Sequence, residues 1–139
     1  MIQELLSVNW LAVVACGVVL MIIGFAWYTL FAKPWSELSG WTREKVAQVP
    51  QNQMMMSYGI TFLTALLTVF VLAGMLHLTR TTAIPGALAL AGVVWAGFTA
   101  GPTISNFAFE RRPWALWAIT SGNTLVSLLI SAVILVLWK

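Results

Sequence analysis

The chain has 139 residues, of which 60% are apolar and only 8% charged, and its mean hydropathy is +0.92. A soluble domain carries roughly 25% charged residues, so water is excluded as the main solvent. The formal net charge of +3 is accounted for by membrane topology and calls for no nucleic acid. The lone Cys16 has no partner for an internal disulfide and reads as a small core residue.

Charge-free runs predict four membrane-spanning helices at 8–32, 54–79, 83–109 and 113–138. At about 1.5 Å of rise per residue, about 20 residues cross a hydrocarbon core of about 30 Å. Strands are excluded, because lipid leaves no partner for an open backbone and these runs lack the alternation of a membrane barrel. The expected fold is all-α: one domain, a four-transmembrane-helix bundle.

The opening residues carry Glu4 but no Lys or Arg, and no A-x-A site follows the first apolar run, so no cleavable signal peptide is expected. The first span offers Gly17, Gly24 and Tyr28 on its small or weakly polar face. The loop 33–53 is the one long polar segment. Pro34 suits the first turn of a short helix, Gly40 its end, and Thr42 caps a second short helix that stops before Pro50. With Trp35, Leu38 and Trp41 facing the bilayer, it reads as a short interfacial amphipathic segment.

The second span contributes Tyr58, Thr61, Thr64 and Thr68, and ends near His77, an interfacial residue. The third carries Trp95 near its midpoint, either packed and bonded to a neighbouring helix or walling a ligand cavity. Its stripe of Thr99, Thr103, Asn106 and Glu110 follows helical spacing, and Pro102 predicts a kink where that stripe begins. The fourth span repeats the pattern with Thr120, Asn123, Thr124, Ser127 and Ser131. A short turn between the last two spans predicts a tight hairpin that sets Thr99 against Thr124, Thr103 against Thr120, and Asn106 near Trp117.

Basic residues fix the expected orientation. Lys33, Arg43, Lys45, Arg111 and Arg112 lie on one side, against Arg80 and Lys139 on the other. By the positive-inside rule the loops 33–53 and 110–112 are cytoplasmic and both termini lie outside. Trp10 and Trp138 then fall at the outer interface, and Trp27, Trp35, Trp41, Trp114 and Trp117 at the inner one. Glu110, at a helix C-terminus where a carboxylate opposes the macrodipole, should pair with Arg111, Arg112 or Lys33.

Two readings fit the stripes. Hydroxyls, amides and small residues such as the G-x-x-x-G of Gly97 to Gly101 serve as glue between helices. Alternatively they line a narrow cavity: the candidate ligand-binding residues are Tyr28, Tyr58, Trp95, Thr99, Thr103, Asn106, Thr120 and Asn123, with Thr61 beside them. Lys33, Glu110, Arg111 and Arg112 would form a charged cytoplasmic mouth. No carboxylate, histidine or basic residue lies deep in a span, so ion coupling is not expected. No catalytic constellation, metal-ligand spacing or phosphate loop occurs, so neither an enzyme nor a bound metal or cofactor is expected.

Two stretches, residues 9–42 and 97–135, resemble the bacterial membrane family called domain of unknown function 1761. The resemblance is carried by Asn9 and Trp10, Trp27 and Tyr28, then Lys33, Trp35, Leu38, Gly40 and Thr42, and finally Asn106, Phe109, Glu110 and Arg112. It implies a small four-helix protein of the bacterial inner membrane with no assigned activity. Many members carry a histidine or tyrosine where this chain has Gly122, Asn123 and Thr124.

Three functions stay in play: a homo-oligomer that binds or passes a small uncharged or lipophilic solute, an accessory subunit of a larger membrane complex, and a sensor of membrane lipid through the first loop. Single cysteines at Ser39 and Thr82, in a Cys16→Ala background, test the orientation that all three share. An impermeant maleimide is expected to label position 82 in intact cells, and position 39 only after permeabilisation. The opposite pattern would turn the molecule over.

Overall fold

The computed structural model describes residues 1–138. The helices are α1 (Ile2–Leu6), α2 (Trp10–Leu30), α3 (Ala32–Ser39), α4 (Arg43–Ala47), α5 (Gln51–Leu78), α6 (Ile84–Trp95), α7 (Gly101–Glu110) and α8 (Trp114–Leu137), with a π-helical turn, Ala96–Ala100, joining α6 to α7. Four stretches, Trp10–Leu30, Gln51–Leu78, Ile84–Glu110 and Trp114–Leu137, are long and apolar enough to cross a membrane. The chain folds as the expected all-helical bundle, and α1, which packs on α5, is an addition.

Local chemistry explains the boundaries. Asn9 caps α2, its side-chain oxygen accepting from the Ala12 N–H at 3.2 Å. Gly40 ends α3 in the left-handed region at φ +78, and Thr42 accepts from the Lys45 N–H at 3.3 Å to start α4. The two reversals that follow α5 and α7 share one device. At the first, Arg80 takes φ +51 and the Thr81 N–H reaches the Leu76 carbonyl at 2.9 Å. At the second, Arg111 takes φ +54 and the Arg112 N–H reaches the Phe107 carbonyl at 3.1 Å. Such closures usually place glycine where these arginines stand, and a side chain there costs about 1 kcal/mol.

Pro102 acts through the turn that precedes it. Because proline has no N–H to offer, the chain widens by one residue, and the Gly101 N–H bonds back to the Ala96 carbonyl five residues earlier. The extra residue turns the third stripe. Thr103 and Phe107 face inward, whereas Asn106 and Glu110 are exposed. Trp117 meets Thr103 and not Asn106, a displacement of almost one turn from the expected hairpin register. Gly97 and Gly101 are exposed as well, and the small residues that the third span buries are Ala87, Ala91 and Ala100.

α8 is the central helix, packed against α2, α5 and α6. One cluster joins Leu72 and Leu76 of α5, Ala87 and Ala91 of α6, and Leu128, Ala132 and Val136 of α8. A second joins Val8, Val13, Cys16, Val69 and Ala73. Both lie toward the end of the bundle that carries α1 and the Thr79–Ala83 reversal, here the far end. Toward the basic end, indole N–H groups take over. Trp27 of α2 donates to the Ile119 carbonyl and Trp95 of α6 to the Ser121 carbonyl, each at 2.9 Å, and Trp117 donates to the Thr103 hydroxyl at 2.9 Å. Trp27 and Trp117 therefore join helices, where the sequence reading set them at the interface; a part-buried N–H in hydrocarbon finds its acceptor only on another helix.

Close approach at Gly122 permits the Trp27 bond, since a β-carbon there would lie 3.2 Å from Trp27 Cζ2. Gly122→Leu is expected to expel the indole and destabilise the bundle by about 1–3 kcal/mol. Trp27→Phe, losing mainly the hydrogen bond, should cost about 0.6 kcal/mol. Unfolding in mixed micelles ranks the two, and equal costs would refute the packing argument.

Candidate ligand-binding cleft

α5 is held unevenly. Its C-terminal half is packed through Val69, Leu72 and Leu76, but none of residues 51–68 is buried. The half of α5 nearer the basic end thus stands off α8 and opens a cleft of about 760 Å³ between α2, α5 and α8.

Helical spacing selects its walls. α2 presents Leu20, Met21, Gly24 and Tyr28; α5 presents Tyr58, Thr61, Ala65 and Thr68; α8 presents Asn123, Thr124, Ser127 and Leu128. No Asp, Glu, His, Lys or Arg lines this cleft. The threonine hydroxyls are spent on their own helices: Thr61 donates to the Ser57 carbonyl at 2.8 Å, Thr68 to that of Thr64 at 2.9 Å and Thr124 to that of Thr120 at 3.5 Å. Their remaining lone pairs can only accept. Asn123 differs. Its Oδ1 is buried and has no hydrogen-bond partner.

Toward the basic end the cleft runs into a wider basin of about 1090 Å³, and Tyr28, Tyr58, Thr61 and Val46 line both. The basin is roofed by α3 and α4, with Lys33, Trp35 and Ser36 from the first and Arg43 from the second, while Arg112 and Thr120 close its other side. Tyr28 is held at the junction by an edge contact with Trp35, ring centroids 5.9 Å apart. Arg112 is fixed by Glu110, at 3.5 Å, and by the face of Phe107, 4.5 Å from its guanidinium carbon. Both partners of the ion pair are about half exposed, so it orients Arg112 more than it stabilises the fold.

Of the eight ligand-binding candidates, the structure brings Tyr28, Tyr58, Thr120 and Asn123 to this continuous space. Trp95 and Thr103 are engaged by Ser121 and Trp117 in the contact between α6–α7 and α8, and Thr99 supplies a carbonyl to the Thr103 hydroxyl. Asn106 is exposed on α7 and lines neither cavity. The two polar stripes therefore do not face each other: that of α8 turns to α2 and α5, and the π turn swings the other away. Of the charged-mouth candidates, Lys33 and Arg112 reach the basin, Glu110 acts through Arg112, and Arg111 is exposed at the reversal. Sequence reasoning placed Gly24 and Thr68 on the small or weakly polar faces of their spans and Arg43 among the orienting cations but included none of them in the site; Gly24 and Tyr28 stand one turn apart on α2, as do Thr61, Ala65 and Thr68 on α5, and which of these faces share a cavity is legible only once the partner helices are known.

A model of the family described as protein of unknown function (DUF1761) matches residues 11–136. The chain belongs to this family. The DUF1761 match runs from α2 through α8, so cleft and basin both lie within it. No curated protein and no solved structure matches the chain.

The orphaned Asn123 oxygen carries a cost of about 1–3 kcal/mol when no donor is present. Asn123→Leu, close in volume and apolar, is expected to leave the empty protein as stable as before or more so, up to about 1 kcal/mol. Thermal unfolding after stripping of small molecules checks this, and a marked loss would show that the amide is structural.

Proposed function

We propose that this DUF1761 member is a non-catalytic protein of the bacterial inner membrane that binds a lipophilic solute taken sideways from the bilayer into the α2–α5–α8 cleft. Its basic end would face the cytoplasm and both termini the outside. The observation that carries this reading is the stand-off of α5, which opens a largely apolar space with the Asn123 side-chain amide among its walls.

Lipid tails are as apolar as the cleft, so entry gains little from the hydrophobic effect and selection falls to packing and to the few polar groups of its walls. The absence of any charged or imidazole side chain in its lining supports binding without ion coupling. Beyond the cleft, the buried cluster of Val13, Cys16, Val69 and Ala73 fills the bundle and favours binding over passage through a single chain. His77 is exposed near the end of α5, remote in the chain from any serine of the cleft wall, which supports a non-catalytic reading.

The exposed Ala96, Gly97 and Gly101 favour a homo-oligomer formed through this smooth face, or equally docking of the chain as an accessory subunit on another membrane protein.

A long-chain fatty alcohol bearing a photoactivatable diazirine tests the cleft. Crosslinks are expected to concentrate on residues 20–28, 58–68 and 123–128. Gly24→Leu, whose side chain enters open space with nothing within 4 Å of its β-carbon, should cut them about tenfold, while Val93→Leu on the exposed face of α6 should not. Labelling spread evenly over all lipid-facing helices would sink the proposal.

A further inference from the structure

The basin beside the cleft has its own chemistry. Lys33 of α3, Arg43 at the start of α4 and Arg112 after α7 come from three separate segments and line one space, and no carboxylate lines it with them. Lys33 and Arg43 make no ion pair among the described residues, and Arg112 alone shares its charge, with exposed Glu110. A surface arranged only for solubility would intersperse both signs. Here the cations converge, and Trp35 stands among them with its ring against Tyr28.

We infer that basin and cleft form one site for an anionic amphiphile, with a phosphate or carboxylate head held by Lys33, Arg43 and Arg112 and a single hydrocarbon chain along the cleft. This rests on the cleft reading above and names its ligand class. Three features support it. Tyr28, Tyr58 and Thr61 belong to both spaces, so the charged space and the apolar one adjoin. Thr120 lines the basin and Asn123 the cleft, so α8 carries the lining from one space to the next within about one turn, roughly 5 Å. From Tyr28 back to Leu20 the wall runs for about 12 Å, length for a good part of an acyl chain. Lysine and arginine at the bilayer interface bind anionic headgroups by charge and hydrogen bonding together.

The test uses the purified full chain in a non-ionic detergent, with lysophosphatidic acid and lysophosphatidylcholine of equal chain length as probes, read by native mass spectrometry. Both carry the same chain and free hydroxyl and differ in head charge. Lysophosphatidic acid is expected to be retained about tenfold more than the zwitterion. The triple variant Lys33→Gln, Arg43→Gln, Arg112→Gln should bring it down to the zwitterion's level, whereas Arg80→Gln with Arg111→Gln, which removes two cations outside the basin, should not. Equal retention of the two lipids by the unaltered protein overturns the inference without any variant. Retention lost equally in the control pair overturns it too, as non-specific charge. If Gly24→Leu lowers both lipids while the triple variant changes neither, the cleft reading stands and the headgroup assignment falls. If Gly24→Leu lowers neither, the cleft reading itself falls and this inference goes with it.

Discussion

The bundle depends on a few hydrogen bonds that converge on one turn of α8. In hydrocarbon an indole N–H cannot be left to solvent, and the carbonyls of Ile119 and Ser121 each have a second lone pair free after serving their own helix. Trp27 takes one from the α2 side and Trp95 the other from the α6 side. With hydrophobic burial cancelled by the lipid, these bonds and close packing locate the helices. Gly122, next to Ser121 in the chain, lets the ring of Trp27 lie against the α8 backbone.

That arrangement leaves α5 as the one long helix without such a tether at the basic end. It is fastened to α8 by Leu72 and Leu76 and to α2 across Gly17, where Phe62 and Leu66 approach. Below those contacts nothing draws it toward α8, and the cleft is the space that remains. The charged basin follows from topology, because the interfacial helices and the last reversal must all return to the same membrane surface. Cations expected to set the orientation therefore also line the basin.

The spans, the interfacial helices and their caps were legible because each is a local signal: length of an apolar run, Asn9 or Thr42 before a helix, Gly40 after one. The pairing of Glu110 with a nearby arginine was legible for the same reason. Which faces meet was not. The expected stripe on the third span assumed an unbroken α-helical period, and one extra residue before Pro102 was enough to carry Asn106 out of the bundle. Trp27 and Trp117 looked interfacial by their distance from the loop, since no sequence signal distinguishes a ring lying flat among headgroups from one turned to a neighbour's carbonyl. Asn123 lines a cavity, but with residues of α2 and α5 and not of the third span.

The threonines of the cleft give it a polarity that composition does not show. Each hydroxyl proton of Thr61, Thr68 and Thr124 points along its own helix, so these side chains present oxygen lone pairs to the cleft. The groups of the same wall that carry protons to donate are the Tyr28 and Tyr58 phenols, the Ser127 hydroxyl and the Asn123 amide nitrogen. Acceptors and donors thus sit on different side chains of one wall, a directional pattern that residue counts alone do not reveal.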